Sequence, residues 1–279
     1  MSLYKFTILA LLLTKMVASK AATVDTLVVY SNNMHKNVKC VLILPTLYSP
    51  TSKALPVLYL LHGYSGNYSN WVKKVPDLKT QADALQIIIV CPDGGYSSWY
   101  LDSPIDSTYQ YETFISKELV YYIDTKYNTI KNNTGRALSG LSMGGHGGIY
   151  VGLKHPTTFG AIGSMSGALD VTYIKSRYEV EKRLGDTLLQ AANWKSHSLF
   201  AMIDTMKLTN QKIIIDCGVD DFVLPFNETI HSKMIARRMK HDYILRPGKH
   251  EWSYWGNAVV YQLLFFKRYF DENKNKITL

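Results

Sequence analysis

Two hydrophobic periods alternate along the chain after its first 21 residues. The segments TLVVYS (26–31) and NVKCVLILP (37–45) are apolar runs joined by a polar turn, which predicts an antiparallel strand pair. Continuous apolar runs then recur at PVLYLLHG (56–63), QIIIVCPDGG (86–95), GRALSGLS (135–142), FGAIGSMSG (159–167), QKIIIDCG (211–218) and HDYILRPG (241–248). Strands that are apolar on both faces belong in a sheet covered by helices on each side. Helical periodicity fills the intervals, at 110–126, 145–153, 227–240 and 251–270, with a polar, helix-compatible stretch after Gly63. This alternation predicts an α/β fold with a mostly parallel central sheet, right-handed crossovers and antiparallel N-terminal strands. Residues 170–210 are polar and irregular. They read as a cap insertion or as an elaborated crossover with two short helices, and the crossover is the preferred reading.

The first residues follow a different logic. Lys5 precedes the apolar stretch Phe6 to Leu13, and small residues follow around Ala18, Ser19 and Ala21. That order predicts a secretory signal over residues 1–21, leaving 22–279 as a single domain located outside the cytoplasm, secreted or periplasmic. Lys15 breaks the run well short of the roughly 20 apolar residues a membrane span needs.

Composition narrows the function classes. With 47% hydrophobic and 19% charged residues, the chain is globular in type and long enough to bury a large core. Its formal charge of +9 is spread along the sequence, with only short pairs such as Lys73-Lys74 and Arg237-Arg238. A nucleic-acid face needs clustered charge with stacking platforms, so none is expected. The three cysteines, Cys40, Cys91 and Cys217, each sit in an apolar run and read as buried strand residues. No metal spacing is present, because HEW (250–252) lacks the second histidine of a zinc helix.

The chemistry concentrates in GLSMGGHGG (140–148). Gly140-Leu-Ser-Met-Gly144 matches Gly-x-Ser-x-Gly between an apolar strand and a helix of small residues. A serine on such a turn has strained dihedrals, and glycines two positions away remove the collisions its neighbours would suffer. Ser142 is therefore the expected nucleophile. Its base is an imidazole that also reaches an acid. His146 lies one helical turn beyond Ser142 and cannot do both. Folds with this elbow carry the acid and then the histidine on later loops, at the carboxyl ends of strands. His231 falls inside a helix and His241 opens a strand. His250 follows a strand and a turn, and is the expected base. Asp216 lies within a strand, whereas Asp220 and Asp221 both lie in the loop beyond it and both fit on position. The backbone N–H groups of Met143 and Tyr64 are the expected oxyanion donors, and His62 reads as structural.

Taken together, LYLLHGYSGNYSNW, CPDGGYSSWYLDSP, GLSMGGHGG, FGAIGSMSG, CGVDDF and PGKHEWSYW resemble the esterase D-like branch of the α/β-hydrolases. That branch includes S-formylglutathione hydrolases, the feruloyl and acetyl-xylan esterases of carbohydrate esterase family 1, and mycolyltransferases. The form most looks like secreted Bacteroidetes polysaccharide esterases. The resemblance spans about residues 23 to 270 and implies an α/β-hydrolase fold. It puts the nucleophile on Ser142 and the base on His250, selects Asp221 over Asp220 as the acid, and puts the oxyanion donors on Tyr64 and Met143. It also implies Trp99, Tyr100 and Asp102 near the substrate, while Trp252 and Trp255 read as core. The implied activity is a secreted serine esterase that removes feruloyl or acetyl groups from plant polysaccharide, with no cofactor. A general small-acyl carboxylesterase or thioesterase, and an acyltransferase, are the alternatives. The expected partner is an acylated polysaccharide or a small ester.

If the signal reading is right, N-terminal sequencing of the native protein gives a start near Ala22 in the extracytoplasmic fraction. A soluble cytosolic species beginning at Met1 or Ser2 contradicts it.

Overall fold

The computed structural model describes residues 22–274, so the expected signal segment lies outside the described residues. Its strands are β1 (Thr23–Ser31), β2 (Lys36–Leu44), β3 (Val57–Leu61), β4 (Ile88–Pro92), β5 (Arg136–Gly140), β6 (Ala161–Met165), β7 (Lys212–Gly218) and β8 (Asp242–Arg246). They form one sheet in the order β1-β2-β4-β3-β5-β6-β7-β8. β1 pairs with β2, and β2 with β4, in antiparallel fashion. Every other pairing is parallel. This is the mostly parallel α/β sheet that the alternating periods predict, in the α/β-hydrolase form that the resemblance implies.

Burial on both faces explains the apolar runs of β3 to β7, whereas β8 is a half-exposed edge strand. Val57, Tyr59 and Leu61 of β3 pack on one side with Ile149 and Tyr150 of the Met143–Lys154 helix. Leu58 and Leu60 pack on the other with Trp71 and with Val259 and Phe266 of the Trp252–Lys274 helix. Period-two alternation thus feeds two separate core layers. The three cysteines are free and buried within these layers, and burial pushes their thiols up.

Three elements depart from expectation. The helix expected at 110–126 is interrupted by a π-type segment at Phe114–Glu118 between α-helical turns. Ser116 Oγ donates to Glu112 O there, and the Glu118 carboxylate accepts from Ser31 Oγ and Asn33. The helix expected from residue 227 begins at Leu224, because Pro225 is well suited to a first helical turn. The 170–210 stretch connects β6 to β7 and holds four short helices, at Val171–Ile174, Glu181–Leu184, Ala191–Ser196 and Leu199–Thr205, where two were expected. The last of them is capped at its start, where Ser198 Oγ accepts from Ala201 N.

A buried polar knot ties β7, β8 and the last helix together. Asp216 is fully buried, and its carboxylate accepts from Arg246 at 2.6 Å and from the Tyr254 hydroxyl. Burial pushes the Asp216 carboxyl up, while Tyr254 and Arg246 pull it back. Removing the carboxylate would strand both donors in a dry site. Asp216→Ala should therefore cost about 2 kcal/mol of stability, read as a lower urea midpoint. An unchanged midpoint would show that the knot contributes nothing.

Candidate active site

All six parallel strands deliver residues to one cavity from the loops beyond their carboxyl ends. β3 leads to Gly63 and Tyr64, β4 to Trp99, β5 to Ser142, β6 to Ala168, β7 to Phe222 and β8 to His250. The cavity is about 570 Å³. Position at the carboxyl edge of a parallel sheet is where open α/β folds bind ligands.

Ser142 is held at φ 54° and ψ −116°, a conformation costly for a residue with a Cβ. The turn survives because its neighbours are pressed against backbone. A Cβ on Gly140 would sit 2.6 Å from the carbonyl group of Gly144. One on Gly144 would sit 2.6 Å from the carbonyl oxygens of both Leu61 and His62. The Ser142 N–H donates to Met165 O at 3.0 Å, fixing the turn to β6. Its carbonyl accepts from His146 N at 2.9 Å, opening the helix.

Ser142 Oγ lies 2.9 Å from His250 Nε2. His250 Nδ1 lies 2.9 Å from both carboxylate oxygens of Asp221, whose side chain is wholly buried. Asp221 is anchored in turn by the Val223 N–H at 3.0 Å. Asp220 is exposed on the same loop, and its N–H donates to Gly248 O. With Val219 N–H donating to Arg246 O, that bond stitches the acid's loop to the base's loop. The imidazole itself stands between Phe222, at 4.6 Å between centroids, and Trp255, at 4.9 Å and perpendicular. A hydroxyl, an imidazole and a carboxylate in this chain can pass a proton from oxygen to nitrogen while the carboxylate fixes the tautomer.

The other histidines fall elsewhere. His146 is fully buried, packs on Trp99 and Tyr150, and has its Nδ1 3.1 Å from Trp99 O. Burial lowers its pKa to about 4, so it stays neutral. His231 lies on the Leu224–Ala236 helix and pairs with His241 at 2.8 Å. His62 is structural. Its Nδ1 donates to Gly63 O at 2.7 Å and its Nε2 accepts from Gly94 N at 2.7 Å, tying the loop after β3 to the loop after β4. Burial lowers its pKa and favours this neutral form.

Tyr64 lines the same cavity as Ser142, and Met143 directly follows the serine at the start of its helix. Among the described residues neither backbone N–H has a protein acceptor. The wall residues differ from expectation. Trp99 lines the cavity, but Tyr100 and Asp102 do not. Tyr100 is fully buried with its hydroxyl donating to His62 O, and Asp102 accepts from Thr113 N and Oγ1. Trp99 and Tyr100 both have positive φ, 55° and 56°, and this double turn sends successive side chains to opposite places. Trp252 and Trp255 pack in the core as read and also line the cavity, as do Ile174 and Tyr178 from the irregular crossover. The spacing of the tryptophans beyond His250 was the available signal. Nothing in the polar 170–210 pattern marks Tyr178. Among the described residues no group of His, Cys, Asp or Glu could hold a metal, and no helix is long and apolar enough to cross a membrane.

Comparison with known proteins adds four findings. A family model described as "Putative esterase" matches residues 31–266. An acetyl esterase of Caldicellulosiruptor saccharolyticus is 26% identical over 252 residues, covering 83% of this chain and 93% of its own. A diacylglycerol acyltransferase/mycolyltransferase Ag85A of Mycobacterium leprae is 28% identical, covering 73% of this chain and 72% of its own. A solved ferulic acid esterase superposes with a TM-score of 0.76 at 27% identity, covering 89% of this chain and 99% of its own.

Backbone contact at Gly144 generates a paired test. Gly144→Ala forces a Cβ onto two carbonyls that cannot yield, so turnover should fall at least 100-fold and stability by about 2 kcal/mol. Gly256→Ala on the last helix meets only Val75 Cγ2 at 3.6 Å. It should stabilise by about 0.5 kcal/mol with turnover unchanged. Equal behaviour of the two variants in denaturation and ester assays would refute the packing argument.

Proposed function

The chain belongs to the esterase family and is a serine esterase acting on carboxylic esters, and from that footing we propose that it is an exported enzyme removing feruloyl or acetyl groups from plant polysaccharide. The observation that carries this reading is the chain of hydrogen bonds from Ser142 through His250 to Asp221, opening into a cavity with six aromatic walls. Those walls are Tyr64, Trp99, Tyr178, Phe222, Trp252 and Trp255. Among the described residues Glu251 is the one carboxylate in the lining, and no lysine or arginine joins it. Such a site favours a flat, neutral acyl group over an anionic one.

The proposed mechanism follows from the geometry. His250 Nε2 takes the Ser142 proton as Oγ attacks the ester carbonyl. Asp221 keeps the remaining imidazole proton on Nδ1 and stabilises the imidazolium that forms. The negative charge on the former carbonyl oxygen is met by the N–H groups of Tyr64 and Met143, worth several kcal/mol between them. Collapse breaks the bond to the alcohol, which leaves with the proton from His250, and Ser142 carries the acyl group. Water, deprotonated by His250, attacks this acyl-enzyme, releases the acid and restores the serine. No step requires a cofactor.

Residues 22–279 act in this reading as one catalytic domain, delivered across the membrane by the segment removed from its front. Ser142→Ala and His250→Ala should each cut kcat by several orders of magnitude, because nucleophile and base work as one unit. Asp221→Asn should cost about 10⁴-fold by favouring the wrong tautomer. Asp220→Asn and His146→Ala should be mild. Rates on p-nitrophenyl acetate, with circular dichroism to check folding, decide this assignment. A dead His146→Ala beside a live His250→Ala would overturn it. Methyl ferulate and acetylated xylan should both be turned over faster than an unrelated aliphatic ester. Preference for the aliphatic ester would contradict the polysaccharide reading, and dominant transfer to an added alcohol would favour an acyltransferase.

A further inference from the structure

We propose that Tyr178, contributed by the β6–β7 crossover, is a positioning residue that holds the oxyanion loop after β3 in its working place. The inference rests on the reading of the Tyr64 N–H as an oxyanion donor. The Tyr64 ring is wedged between two other tyrosines. Tyr96, on the loop after β4, meets it at 4.9 Å and 68°, and Tyr178 meets it at 5.2 Å and 81°. Both are edge-to-face contacts, the favourable arrangement for aromatic pairs. The Tyr96 side of the wedge is reinforced by backbone, since Ser65 N–H donates to Tyr96 O at 2.8 Å. Ser65 itself has φ 58°, so the turn beyond Tyr64 is under strain and depends on such restraints.

Tyr178 is itself pinned. Its carbonyl accepts from Trp99 Nε1 at 3.0 Å. The next residue, Glu179, has φ 58°, and its carboxylate accepts from Ser97 Oγ at 2.8 Å and from Lys182 at 2.7 Å. The crossover is thus fastened to the loop after β4, and the Tyr178 ring transmits that fastening to Tyr64. Preorganised donors work only when they are already in place as charge develops. Losing the ring leaves one face of Tyr64 unsupported and lets its N–H drift from the carbonyl oxygen.

Tyr178 also lines the cavity, so a direct contact with substrate must be told apart from positioning. The test is steady-state kinetics of Tyr178→Ala and Tyr178→Phe on p-nitrophenyl acetate, p-nitrophenyl butyrate and methyl ferulate. Thermal midpoints confirm that each variant is folded. The expected result is a fall in kcat of about tenfold for Tyr178→Ala, by the same factor on all three esters and with little change in KM. Tyr178→Phe, which keeps the ring, should restore the wild-type rate. A loss confined to KM, or one that grows with the size of the ester, would make Tyr178 a plain substrate contact and overturn the proposal. So would a Phe variant as slow as the Ala variant, or an Ala variant as fast as wild type. If the wild-type protein hydrolysed none of these esters, the reading of the site would fail first, and the two failures are therefore distinct.

Discussion

Everything at this site depends on one residue held in a conformation it does not favour. Ser142 adopts φ 54° and ψ −116°, at a cost of about 1 to 3 kcal/mol, and the surrounding fold has to overdetermine that turn. It does so with backbone rather than side chains. Gly140 and Gly144 are pressed against main-chain atoms, Ser142 N is bonded to β6, and Ser142 O is bonded to the start of the following helix. The result is a half-buried hydroxyl at a helix N-terminus, open to the cavity and 2.9 Å from His250 Nε2.

The same constraint sets the demands on the rest of the molecule. A serine fixed by backbone meets its imidazole partner only if His250 arrives with equal accuracy from 108 residues away. The fold meets this by bonding the loops after β7 and β8 to each other through Val219, Asp220, Arg246 and Gly248. Beneath those loops lies the buried Asp216, Arg246 and Tyr254 knot. On the far side, His62 spans the loops after β3 and β4, neutral because it is buried. The polar groups nearest the site therefore serve chiefly to place loops.

Much of this was legible in the sequence, for identifiable reasons. Runs that are apolar on both faces suit the interior of a covered sheet, so β3 to β7 followed from the runs themselves, while β8 closes the sheet as a half-exposed edge. The positions of Ser142 and His250 followed from chain order and from each lying just past a strand, whereas Asp221 was singled out from Asp220 only by the family resemblance. What escaped was the direction of loop side chains. Trp99 and Tyr100 are adjacent and similar, yet consecutive positive φ values send one to the cavity and the other beneath it. Trp252 and Trp255 begin a long amphipathic helix and so resembled core. Both do pack in the core, and their place at the helix's first turn, beside His250, makes them cavity walls as well. Tyr178 sits in a polar stretch with no periodicity, and only tertiary contact reveals it.

The central claim is that Ser142 is the group that becomes covalently attached to substrate. Its most direct test is labelling with an alkyl fluorophosphonate, followed by mass spectrometry of the intact protein and of its tryptic peptides. The account predicts one adduct per chain, formed with loss of fluoride, carried on the peptide containing Ser142, and abolished together with ester turnover. An adduct on a different residue, or full ester turnover by a protein that takes up no label, would contradict it.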